Sequence, residues 1–276
     1  MNKNLKAALD ILLFVVVFFL IQYVITVLTG IIGMLAEGSS WKAAGEAFIH
    51  GNFNLTSNML VIATVLSSVF TACLFAKLRW TPVSRHWLRE KPVGVLFWAA
   101  LAALGSILPS EWLVEQMQHT MPEAQEKLFE QIMAQPIGYI SIGIVAPLAE
   151  EMVFRGAILR KLLERFGEKW HWVAILISAV IFGAVHGNIP QFVHAALIGL
   201  LLGWMYYRTG SILPGVLLHW VNNTVAYVMF NAMPQMADGK LIDIFHGSTK
   251  MVILSIIFSM FILIPSILQL NARMKK

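Results

Sequence analysis

Charge is scarce in this sequence. Asp, Glu, Lys and Arg make up 13% of its 276 residues, against about 25% in an ordinary soluble domain. A water-soluble globule of this size needs more charge than that to cover its surface. Cysteine is almost missing: Cys73 stands alone, so no intrachain disulfide can form and a secreted disulfide scaffold is excluded. There is no internal repeat and no low-complexity tract, and no alternation with period two that would suggest a membrane β-barrel. What the chain has instead is apolar side chains, 58% of the residues. That excludes intrinsic disorder, which needs low hydrophobicity. The composition fits an all-α, polytopic membrane bundle. The net charge of +5 resembles that of a nucleic-acid binder, but in a membrane protein basic residues report topology. The bilayer, and no nucleic acid, is the expected partner.

A spanning helix needs about 20 mostly apolar residues, and the sequence offers about eight such stretches. They run near 8–36, 55–76, 93–109, 137–159, 170–187, 191–207, 212–231 and 249–270. The first is too long for a signal peptide and lacks a small-x-small cleavage site. The third is opened by Pro92 and is expected to close near Pro109. With the N-terminus inside, 15 of the 20 basic residues fall in cytoplasmic segments. Only Lys42, Lys127, Lys240 and Lys250 fall outside, and Arg155 lies within a span. The positive-inside rule therefore predicts both termini in the cytoplasm. The outer loop near 110–135 carries Glu111, Glu115, Glu123, Glu126 and Glu130. It is expected to hold an amphipathic helix near the surface, as a solvated connector or as a lid.

Ionisable groups within spans are costly, about 2.5–3.5 kcal/mol at a helix centre on insertion scales. They therefore pair, face a cavity or act chemically. In the fourth span, Glu151 and Arg155 share a helix face at i, i+4 and can pair. Glu150 lies about 100° round from Glu151 and is left free to point elsewhere. Pro147 cannot donate to the carbonyl of Gly143, so a kink is expected there. The fifth span places Phe182 one turn before His186, with Gly183 and Gly187 open to close helix approach. The seventh places His219 and Asn223 on one face, with Asn222 rotated off it. In the sixth span, Gly199 and Gly203 read as a packing face, and His194, near the outer surface, reads as structural.

Each of these groups alone has a plain structural explanation, as a buried ion pair or an interhelical hydrogen bond. Together they suggest one polar cavity between the fourth, fifth and seventh spans. A carboxylate and an imidazole suit the activation of water. A second imidazole and an amide suit stabilisation of an oxyanion. One carboxylate and two imidazoles are also a familiar zinc set, although no His-Glu-x-x-His supplies two ligands from one helix. Nucleophilic chemistry is less well supported: Cys73 has no neighbouring acid or His, and no Gly-x-Ser-x-Gly occurs. Buried Glu, Arg and His would also serve an ion path, but the repeats and broken helices of transporters are missing.

Glu150-Glu151-x-x-x-Arg155, Phe182-x-x-x-His186 and His219-x-x-x-Asn223, in that order and in a membrane setting, resemble the CAAX protease and bacteriocin-processing (Abi) family. This family includes the type II CAAX prenyl endopeptidases and the lysostaphin-resistance-protein-A-like proteins. The resemblance covers roughly 136–230, flanked by 1–135 with three spans and the acidic loop, and by 231–276 with the last span. It implies an intramembrane endopeptidase acting on membrane-associated peptides, in a prokaryotic plasma membrane. Glu150 and His186 would activate water, and His219 and Asn223 would form the oxyanion hole. Glu151 and Arg155 would hold the site together, with Phe182 packed beside it. A divalent metal such as zinc stays an open alternative, with Glu150, His186 and His219 as ligands. So does a non-proteolytic scaffold or immunity-type role.

Overall fold

The computed structural model describes residues 2–51, 55–83, 87, 92–117, 121–233 and 240–274. Of the basic residues counted above, Arg85, Arg89, Lys91, Lys275 and Lys276 lie outside the described residues, as do His86 and His119. Among the described residues all regular structure is helical: the protein is an all-α membrane bundle.

Among the described residues, five helices are long and apolar enough to cross a bilayer. They are α1 (Lys3–Ala36), α3 (Ser57–Lys77), α4 (Val93–Gln116), α9 (Ile189–Thr209) and α12 (Thr249–Arg273). Local chemistry sets several of their ends. Asn2, Thr56, Asn188 and Ser248 each accept a hydrogen bond from a first-turn N–H, which satisfies donors that the helix cannot. Gly210 ends α9 in the left-handed conformation, φ 63°. The shorter α2 (Trp41–His50) follows α1.

The third span does not close at Pro109; α4 runs on through it to Gln116. A proline within a spanning helix is tolerated where a neighbouring helix supports the backbone. Here α12 packs along α4 so closely that a Cβ on Gly105 would sit 2.7 Å from Leu263 N. The acidic loop carries α5 (Glu123–Met133).

The fourth span is a continuous helix whose winding changes along its length. Ile140–Val145 is wound in the wider π manner, α6 (Ala146–Glu151) is α-helical, Met152–Leu159 is π-wound again, and α7 (Arg160–Phe166) returns to α. Pro147 brings no break, and the π turn before it accommodates the missing donor. A 3₁₀ turn, Glu168–Trp170, leads into α8 (His171–Ala184), which packs against α9. The α10 helix (Leu213–Ala232) packs against α4 and α9, and a short α11 (Leu241–Ile244) precedes α12.

The π-wound segment Met152–Leu159 is the central pillar, with all eight of its residues buried. Phe154 meets Phe18 of α1 edge-on at 5.7 Å and Phe182 of α8 at 5.0 Å. Its carbonyls gain side-chain donors: Thr81 bonds Met152 O, Ser178 Oγ bonds Phe154 O at 3.0 Å, and Arg160 Nε bonds Gly156 O at 3.1 Å. Backbone groups at this depth must find partners within the protein. Gly199 and Gly203 pack on Ala179 and Ile175 of α8, as a small-residue face should. Gly183 does the same against Phe192, whereas Gly187 serves a different need, a left-handed turn with φ 73°.

Candidate active site

Three helices bring the motif residues together. Where α6 gives way to the pillar stand Glu150, Glu151 and Arg155; α8 carries Phe182 in its last turn, with His186 just past its end; α10 contributes His219 and Asn223. Adjacent in sequence, the two glutamates differ sharply in environment. The Glu151 side chain is fully buried and the Glu150 side chain is 23% exposed. Glu151 Oε1 accepts from Arg155 Nη1 at 2.8 Å and faces His219 Nδ1 at 3.2 Å. Glu151 Oε2 meets no hydrogen-bond partner and points at Gly215, where a Cβ would stand 2.8 Å away. Arg155 is itself buried, with its guanidinium 4.2 Å above the Phe182 ring and Nη2 3.5 Å from Gly199 O. A cation over an aromatic face gains most when both are desolvated.

His219 thus lies between the two acids. Its Nδ1–H points to Glu151, and its Nε2 stands 3.7 Å from Glu150 Oε2, too far for a hydrogen bond but close enough for one group to share. His186 is placed differently. Its Nδ1 lies 2.9 Å from Phe182 O. A carbonyl only accepts, so Nδ1 carries the proton and Nε2 keeps a lone pair. Phe182 lies between the two histidines, edge-on to His186 at 5.2 Å and to His219 at 5.8 Å. Among the described residues no ion pair joins His186 to Glu150 or Glu151.

Asn223 donates from Nδ2 to Ile142 O at 3.0 Å, and its Oδ1 accepts from Asn222 Nδ2 at 3.3 Å. Its amide therefore ties α10 to the first π-wound segment. More of this seam was missed in the sequence. Trp220 Nε1 donates to Tyr139 Oη at 2.9 Å, and Tyr139 Oη lies 3.1 Å from Thr224 Oγ1. Farther along α10, Tyr227 donates to Gln135 O and Asn231 to Met133 O. The regular i, i+3 and i+4 spacing of these residues along α10 was the available signal. His194, read from the sequence as structural, pairs with a residue of α10. Its Nε2 lies 3.3 Å from Asn222 Nδ2, and the ring is within electrostatic reach of His186 and His219.

Among the described residues no three His, Cys, Asp or Glu side chains converge closely enough to hold a metal ion. Glu150, His186 and His219 do not form a ligand sphere in this geometry.

Comparison with known proteins bears on the same stretch. Residues 133–225 match the family described as type II CAAX prenyl endopeptidase Rce1-like. This part of the chain is similar to that family. The matched stretch runs from the last residue of α5 to two residues past Asn223, so it holds all seven motif residues. The chain is 32% identical over 107 residues to "Putative membrane peptidase YdiL" of Bacillus subtilis, covering 39% of this chain and 43% of that protein. It is 34% identical over 90 residues to a 24.3 kDa protein of Escherichia coli, covering 31% and 41%. The Lactococcus lactis protein YxdF is 29% identical over 79 residues, covering 28% and 41%. The chain thus spans about two-fifths of the length of the curated relatives it matches. No solved structure matches significantly. The long apolar helices and these bacterial relatives mark an integral, multi-pass membrane protein.

Proposed function

We propose that the chain is an intramembrane endopeptidase that hydrolyses membrane-associated peptides with water activated by Glu150 and His186. The observation that carries this reading is the unequal setting of the two glutamates around His219. Glu151 is committed to Arg155 and His219 and has no room to act. Glu150 is partly exposed and faces His219 Nε2.

In this mechanism the water oxygen attacks the scissile carbonyl carbon as Glu150 takes one of its protons. The lone pair on His186 Nε2 accepts a hydrogen bond from the same water and orients it. Negative charge builds on the carbonyl oxygen. His219, held at Nδ1 by Glu151, donates Nε2–H to that oxygen, and Asn223 offers the Nδ2–H not used by Ile142. Collapse of the intermediate breaks the C–N bond, and Glu150 returns the proton to the departing nitrogen. The products are a carboxylate and an amine. Arg155 acts at a distance by holding the Glu151 carboxylate in place against His219.

Comparative peptidomics on membranes holding wild type or Glu150→Gln, at matched folded levels, tests this reading. Peptides or trimmed termini should appear with wild type alone, and a zinc chelator should leave them unchanged. Cleavage retained in folded Glu150→Gln would overturn the mechanism. Identical profiles, with no cleavage of a peptide library by the purified protein, would favour a scaffold role instead.

A further inference from the structure

We propose that His194 and Asn222 are positioning residues that hold the carboxamide of Asn223 with its N–H toward the reacting oxygen. The inference rests on the hydrolytic reading above and extends it to two side chains outside the motifs.

The argument is an account of hydrogens. An asparagine amide has two N–H donors and one acceptor oxygen, and it can sit either way round. Asn223 Nδ2 spends one hydrogen on Ile142 O, which leaves one for the site. That assignment holds only while Oδ1 points away, and Asn222 Nδ2 sees to this by donating to Asn223 Oδ1 at 3.3 Å. Asn222 needs fixing in its turn. Its Nδ2 also lies 3.3 Å from His194 Nε2. Nδ2 can only donate, so Nε2 is the acceptor and the His194 proton sits on Nδ1. Both hydrogens of Asn222 are then spent, one across to α9 and one along α10. Turned the other way round, Asn222 would set its oxygen against Asn223 Oδ1, two acceptors with no hydrogen between them. Asn222 is buried, where a lost partner is costly. The chain His194–Asn222–Asn223–Ile142 thus has one self-consistent orientation, and it presents N–H at the open end.

A simple packing role for His194 would leave the state of Asn223 untouched, so Asn223 is the place to measure. The protein is labelled with ¹⁵N-asparagine and held in phospholipid nanodiscs, and the Asn223 amide pair is assigned by its loss in Asn223→Ala. His194→Leu removes the acceptor, whereas His194→Gln offers an amide oxygen at similar reach. The peptide assayed is whichever one wild type cleaves and Glu150→Gln does not. In His194→Leu the Asn223 resonances should move and kcat should fall about 10- to 100-fold, with KM within about twofold. In His194→Gln the resonances should stay near their wild-type positions, with kcat within about threefold of wild type. In the Asn223→Ala background, His194→Leu should cost nothing further. Asn222→Ser breaks the same chain and replaces His194→Leu if that variant does not fold. Asn223 resonances that ignore both substitutions would overturn the proposal, as would an undiminished kcat loss in the Asn223→Ala background. If wild type shows no Glu150-dependent cleavage, the hydrolytic reading fails by itself, and the Asn223 resonances still decide the positioning role.

Discussion

The central pillar and the outermost helices follow opposite rules. In Met152–Leu159 all eight residues are buried, one of them an arginine, and the winding is not α-helical. In α12 only Val252, Ser259, Ser266 and Leu270 are buried out of 25 residues, and Phe258 and Phe261 stand largely bare. In α1 the buried count is five of 34. Where lipid surrounds a helix, any apolar side chain of roughly the right size suffices. Where protein surrounds it, a polar group must find its partners among a few specific neighbours. This contrast predicts that substitutions should be costly at the pillar and nearly free at the rim.

The largest effect belongs to the buried pair. Arg155→Leu leaves the fully buried Glu151 carboxylate with His219 as its remaining partner and should cost about 3–5 kcal/mol. Glu151→Leu strands Arg155 and should cost a similar amount. Thermal unfolding in a mild detergent measures both. A loss under about 1 kcal/mol would mean that water reaches the pair and that burial is not what makes the pillar sensitive.

The two regions also differed in how much of them could be read beforehand. Rim helices α1, α3 and α12 were legible from unbroken apolar runs, because hydropathy is all that a lipid-facing helix must satisfy. Hydropathy and length do less for the helices around the site: α8 has 14 residues, and the helix that contains the pillar changes winding three times between Ile140 and Phe166. Both winding and π carbonyl partners depend on contacts such as Thr81 with Met152 O, 71 positions apart in sequence. Glu151 with Arg155 could be read from the i, i+4 spacing, as could the shared face of His219 and Asn223. His194 could not, since its partner Asn222 is on another helix 28 residues away. The continuation of α4 past Pro109 was hidden for the same reason, its support coming from α12.

Next in size is Gly215→Ala. The new methyl would stand 2.8 Å from Glu151 Oε2, so the acid or α10 must shift. A loss of about 1–3 kcal/mol is expected, together with loss of cleavage as Glu151 is pushed off His219. Its counterpart nearer the rim is Gly105→Ala, whose methyl would meet the Leu263 backbone at 2.7 Å. That variant should destabilise the α4–α12 pair and leave kcat alone. Equal loss of kcat in the two would erase the distinction between a packing glycine and one that shapes the site. Smaller again is Thr81→Val, which removes the hydroxyl bonded to Met152 O at nearly constant volume. About 0.5–1.5 kcal/mol should be lost, with hydrogen exchange rising first in the pillar.

The smallest effect is expected at the rim itself. Phe261 is 73% exposed on α12. Phe261→Leu exchanges one apolar side chain for another against lipid tails that are as apolar as either, so no burial energy changes hands. Stability should stay within about 0.5 kcal/mol. The same substitution at Phe154 should cost about 1 kcal/mol or more, because that ring fills a packed space against Phe18 and Phe182. Unfolding midpoints of the two variants, taken side by side in nanodiscs, give the comparison directly. A loss above about 1 kcal/mol at Phe261 would break it, since a side chain that touches only lipid has nothing to lose, and this face of α12 would then have to pack against protein.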